Sequence, residues 1–88
     1  MATQILATGS TQADSADVTV AAGAPITVGL KGVTDQNAIV LISLKDDAAA
    51  YNQTGGRLTS GEPVLMISAP GTYRFSRVAG AACGVFSA

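Results

Sequence analysis

Hydrophobic and polar residues alternate in short runs along this chain. Tyr73 and Phe75 fall on one face of a run in which Thr72, Arg74 and Ser76 fall on the other, the period-two pattern of a half-buried strand. Val18 and Val20 repeat it, as do Ile26, Val28 and Leu30. Between Val64–Ser68 and Thr72–Val78 stands Ala69-Pro70-Gly71. Proline presets φ near −65° and glycine tolerates positive φ, so the spacing predicts a β-hairpin there. Ala22-Gly23-Ala24 reads as a second hairpin connection, with Pro25 placing the following strand at an edge or a bulge.

Ala38–Lys45 is the strongest strand, and it does not alternate cleanly. Val40, Ile42 and Leu44 can face a core, which leaves Ile39 and Leu41 projecting from the opposite side. Val64 and Met66 against Leu65 and Ile67 show the same two-sided character. A domain of this length has few elements with which to cover a second face, so another subunit is the economical cover.

The remaining elements are short. Thr3–Ala7 is a first strand candidate, followed by the polar stretch Thr8–Ser15. Residues 1–15 are expected to form an N-terminal strand or arm, and residues 16–88 one β-sandwich domain. An extended arm can add a strand to a neighbour's sheet through backbone hydrogen bonds. After Lys45, a turn is expected at Asp46-Asp47, a strand through Tyr51, a Gly55-Gly56 turn and a short strand at Arg57–Thr59. Ala48–Ala50 is too short and too closely followed by glycines to hold a helix. Cys83–Ser87 is the last strand. The prediction is an all-β protein, a small β-sandwich or jelly-roll-like barrel of about eight short strands.

Composition narrows the chemistry. The chain has 88 residues, 48% of them hydrophobic and 12% charged, so a packed fold rather than disorder is expected. Its core is small, with about 4,700 Å² of folded surface against about 12,600 Å² unfolded. Disulfides, metals or partner subunits usually supplement such a core. One cysteine, Cys83, excludes an internal disulfide, and the absence of histidine leaves no recognisable zinc site. No cofactor is expected. Cys83 lies among small and apolar residues and reads as a packed, inert thiol.

A net charge of −1, with Lys31, Lys45, Arg57, Arg74 and Arg77 dispersed along the chain, argues against nucleic acid as a partner. No basic leader precedes an apolar run and no apolar stretch reaches the ~20 residues of a membrane span, so neither a signal peptide nor a membrane partner is expected. Asp14, Asp17, Asp35, Asp46, Asp47 and Glu62 sit beside turn residues or strand starts, where capping and solvation account for them. Without histidine, an activated Ser, Thr or Cys nucleophile would need a Lys or carboxylate base, and no such pair is spaced as a motif. The expectation is that the chain is not an enzyme.

The runs Val18–Leu30, Val40–Asp47, Ala69-Pro-Gly-Thr-Tyr-Arg-Phe-Ser-Arg77 and the closing Gly84-Val-Phe86 resemble small structural proteins of tailed bacteriophages. The likeness covers roughly residues 16–87. It implies a virion component assembled in the host cytoplasm, such as a capsid decoration or cement protein, or a module attached to the tail. Capsid or other virion subunits would be its partners, and a homo-oligomer is expected. The candidate subunit-interface residues are Ile5, Leu6, Ile39, Leu41, Leu65, Ile67, Arg74 and Arg77. The alternative is a tail or fibre module binding a host-surface glycan or protein, for which Tyr51, Asn52, Gln53 and Arg57 offer an aromatic and polar loop.

Overall fold

A computed structural model describes residues 3–88. Its nine strands are β1 (Thr3–Gly9), β2 (Ala13–Asp14), β3 (Val18–Val20), β4 (Ile26–Lys31), β5 (Ile39–Lys45), β6 (Tyr51–Thr59), β7 (Val64–Ile67), β8 (Gly71–Arg77) and β9 (Cys83–Ser87). One antiparallel sheet has the order β1-β9-β4-β7. The other has the order β2-β8-β5-β6, with β3 also on β8. There is no helix among the described residues.

β2 pairs with Ser76 and Arg77, and β3 with Gly71 to Tyr73, so together they form one interrupted strand along β8. Counted that way, eight strand positions pair as β1 with β9, β2/β3 with β8, β4 with β7, and β5 with β6. This is one long antiparallel hairpin rolled into two sheets, with its tip at the β5–β6 turn. The fold is a jelly roll.

Alternation is what lets the roll close. Val40 and Ile42 on β5, Tyr73 and Phe75 on β8, Val28 on β4 and Val85 on β9 turn inward and are buried. Phe75 is the largest side chain with no exposure. Leu58 and Cys83, both fully buried, complete the layer between the sheets. Burial pushes the Cys83 thiol pKa up, against a smaller opposing effect of the Arg77 charge.

The connections differ from expectation. Ala69-Pro70-Gly71 does not close a hairpin, because β7 pairs with β4 in one sheet while β8 lies in the other. It carries the chain across the sandwich, and the Tyr73 hydroxyl donates to Ala69 O at 2.7 Å to fix the crossing. Residues 21–25 likewise lead from β3 on β8 to β4 in the opposite sheet. Gly55-Gly56 is a bulge inside a continuous β6, where Thr54 to Gly56 stand opposite Ile42 alone. Thr54 Oγ1 accepts from Gly56 N at 3.1 Å and donates to Ile42 O at 3.1 Å, holding the bulge in place.

The N-terminal segment is also placed differently from an arm. β1 lies along β9 and β2 along β8, within the protomer's own sheets. Ser15 replaces a backbone partner where β2 gives way to β3: its N–H donates to Phe75 O at 2.8 Å and its Oγ accepts from Phe75 N at 3.0 Å. Met1 and Ala2, the start of the expected arm, lie outside the described residues.

Three of the expected interface residues are corrected by their burial. Leu6 and Ile67 belong to the core between the sheets, and Arg77 is 5% exposed. Arg77 shares the inward phase of Tyr73 and Phe75, so its guanidinium enters the protomer instead of facing a partner. Ile67 turns inward with Leu65, which places Val64 and Met66 outside.

Candidate functional site

The turn after β5 shows how the polar loops are spent. Asp46 Oδ1 accepts from the backbone N–H groups of Ala48 and Ala50, each at 2.9 Å, and Oδ2 accepts from Asn52 Nδ2 at 2.8 Å. The bond from Asn52, then those from Ala50 and Ala48, hold the Asp46 carboxyl below its usual pKa of 3.8. Asn52, an expected ligand-loop residue, is thus engaged in its own hairpin. Because the folded pKa is depressed, this stabilisation is present above about pH 4 and is lost as pH falls through the lowered value. Thermal unfolding between pH 6 and pH 2 is expected to show a falling midpoint at the acid end, with a smaller fall in Asp46→Asn.

The outer face of the β8-β5-β6 sheet gathers most of the other sequence candidates. Cross-strand pairing sets Ser43 against both Gln53 and Arg74, Leu41 against Arg57 and Ser76, and Lys45 against Tyr51. Ile39, Leu41 and Arg74, expected at a subunit interface, therefore share one surface with Tyr51, Gln53 and Arg57 from the expected ligand loop. Ile39 and Leu41 are half-buried there.

Most polar groups at the centre of that face engage one another. The Arg74 guanidinium lies 3.8 Å from the Tyr51 ring centroid, and Lys45 Nζ is 5.8 Å from it. Tyr51 Oη donates to Asp17 Oδ1 at 2.5 Å, while Lys45 Nζ sits 3.3 Å from Asp17 Oδ2. The tyrosine hydrogen bond is the main cause of a lowered Asp17 pKa, and the same bond raises that of Tyr51. Arg74 approaches Asp14 only to 4.0 Å, and its Nε is covered without a partner among the described residues. The Tyr51 ring is thus occupied by a neighbouring cation on one face.

The opposite sheet presents a different surface. Val64 and Met66 on β7 are 61% and 63% exposed, the highest among the exposed large hydrophobic residues. Val64 and Phe86 stand on either side of Gly29 in one row across β7, β4 and β9. A Cβ at Gly29 would lie 3.0 Å from the Phe86 ring, so the missing side chain is what lets the ring come close to β4. Ile5, by contrast, is half-buried and packs on the core.

Along the same side the sandwich gapes between β6 and β7. One cleft of about 400 Å³ is lined by Ile42, Leu44, Leu65, Met66, Ile67 and Tyr73 among others. A second, of about 430 Å³, continues past Gly56 and Leu65 to Arg57 and Glu62. The signal for this surface in the sequence is the unbroken apolar run Val64–Ile67, but the pair expected at the interface, Leu65 and Ile67, is the one that turns inward, and Val64 and Met66 are the exposed pair.

Among the described residues, no three of the Asp, Glu, Cys and His type converge as a metal site. Asp14, Asp17, Asp35 and Asp46 hold hydrogen bonds from neighbouring side chains or turn N–H groups. Comparison with protein-family models, with curated proteins and with solved structures found no match.

Proposed function

We propose that this chain is a structural assembly component, a small jelly roll that packs onto the protein subunits of a virion shell and stabilises it as a decoration or cement protein does. The observation that carries the reading is the β7 side: Val64 and Met66 stand in solvent on an edge strand, beside an open apolar cleft. Exposed apolar surface of this kind marks a place that another protein covers. The resemblance to small phage structural proteins supplies the kind of assembly. A jelly roll alone supports many functions, so the fold is not the argument.

In this role the domain works by added contact. Each copy would bridge neighbouring shell subunits and oppose their separation through the area it buries. No catalytic step belongs to this reading. A glycan-binding tail module would rest on Tyr51, whose ring already carries Arg74 on one face and whose hydroxyl is already given to Asp17.

Purified particles encoded by the genome that carries this sequence provide the test. Mass spectrometry and electron microscopy should find the chain at a fixed copy number, with its density against the shell. Particles of full mass that contain none of it would overturn the proposal.

A further inference from the structure

The four sheet edges are not equivalent. β1 loses register with β9 twice, between Gln4 and Leu6 and between Leu6 and Gly9. β2 and β3 are interrupted at Ser15, and β6 is bulged at Gly55-Gly56. Such breaks blunt an edge against pairing. β7 alone is regular, running four consecutive pairs along β4 from Gly29↔Val64 to Ile26↔Ile67.

The backbone of β7 shows which groups are free. Leu30 N donates to Pro63 O at 2.9 Å, so residues 63, 65 and 67 direct their backbone groups toward β4. The N–H and C=O of Val64 and Met66 therefore point away from the sheet. The N–H that Pro63 lacks belongs to the paired side, and the proline leaves the free side unblocked.

We infer that β7 pairs antiparallel with β7 of a second copy, about a two-fold axis through Leu65, joining two four-stranded sheets into one of eight. This rests on the packing role proposed above and names the partner of that edge. Opposite residues in an antiparallel pair share a face, so outward residues must meet outward residues. An axis at Leu65 sets Val64 against Met66 of the partner copy and Met66 against Val64, gathering four exposed apolar side chains on one surface. An axis at Met66 would instead draw in Ser68, which lies beyond the strand.

Charge does not oppose the same occupant. From Pro63 to Tyr73 the chain has no charged residue, so two copies meet without like-charge contact. The nearest acid, Glu62, would be separated from its symmetry mate by six residue steps, about 20 Å. That is well beyond the ~8 Å screening length at physiological salt. With the other three edges broken, a two-fold contact closes on itself and leaves no regular edge for a fibre.

The test is a register-specific cross-link in the full chain, with the wild-type chain, whose Cys83 is buried, as control. Val64 and Met66 of the partner would form a hydrogen-bonded pair with Cα atoms about 5.5 Å apart, within disulfide range. Two copies of Val64 would be about 8–9 Å apart, outside it. A mixture of Val64→Cys and Met66→Cys chains should therefore oxidise to the mixed dimer, while each alone stays largely monomeric on a non-reducing gel. In sedimentation, Met66→Lys should weaken self-association at least about tenfold. Circular dichroism should be unchanged, because both positions are mostly exposed.

A wild-type chain that stays monomeric to several hundred micromolar would overturn the inference. So would a dimer indifferent to Met66→Lys, or one cross-linked by Met66→Cys alone. None of these results touches the packing role itself, which the composition of purified particles decides.

Discussion

Arg77→Met is expected to destabilise the fold by about 3–5 kcal/mol, a large part of the 5–15 kcal/mol typical of a whole domain. The guanidinium is almost fully buried and has no carboxylate partner among its hydrogen bonds. It donates from Nε to Thr11 O at 2.6 Å, and from Nη1 to Ala7 O at 2.7 Å and Cys83 O at 2.8 Å. Those carbonyls belong to the β1–β2 segment, to β1 and to β9 respectively, while Arg77 itself ends β8. One side chain thus ties the start of the chain and its last strand to the opposite sheet. Methionine keeps an unbranched apolar stem, stops short of the guanidinium and offers no donor, leaving three covered carbonyls without one.

Gly9 belongs to the same arrangement. A Cβ there would come 2.9 Å from Arg77 Nη2, so the glycine makes room for the fork. Arg77→Lys keeps the charge on a single ammonium that lacks the planar spread of donors, and is expected to fall between wild type and methionine. Urea titration measures all three chains. A methionine variant within about 0.5 kcal/mol of wild type would show that water satisfies those carbonyls equally well.

Deletion of residues 3–15 is expected to abolish folding rather than merely weaken assembly. The deletion removes β1 and β2, the buried Leu6, the Ser15 bonds to Phe75, and two of the three Arg77 acceptors. It would also expose the β9 edge, whose residues Val85 and Cys83 are fully buried. In a domain of this size no other layer is available to cover them. The truncated chain should lack a cooperative thermal transition. A truncated chain that still melts cooperatively would restore the reading of this segment as a detachable arm.

Strand content was legible in the chain because alternation directly reports which residues share a face. β4, β5, β8 and β9 were all read close to their observed limits, and Tyr73 and Phe75 turned inward as the pattern required. Pairing was not legible. Ala69-Pro70-Gly71 encodes a reversal of direction, and a reversal within one sheet looks the same locally as a crossing between two. The phase of β7 was hidden for a related reason: four consecutive apolar residues fit either face. The Arg74–Tyr51 stack joins residues 23 apart in sequence, and only the β8-β5-β6 order brings them together.

Arg77 could have been found. It follows Tyr73 and Phe75 at two-residue spacing, so the same parity that put the aromatics inside placed the arginine inside as well. Its charge points to the surface because burial of an unpaired cation is rare, and carbonyls supplied by β1, β9 and the β1–β2 segment are what make burial tolerable here.

Amide hydrogen exchange at Val64 and Met66 tests the assembly role of β7 most directly. Their N–H groups face away from β4 and have no intramolecular acceptor in the described residues. In the isolated chain at low concentration they should exchange rapidly while the Leu65 amide, paired to β4, is protected. Raising the concentration, or incorporating the chain into its particle, should slow exchange at Val64 and Met66 by an order of magnitude or more. Exchange that stays fast at both positions in the assembled state would contradict the account.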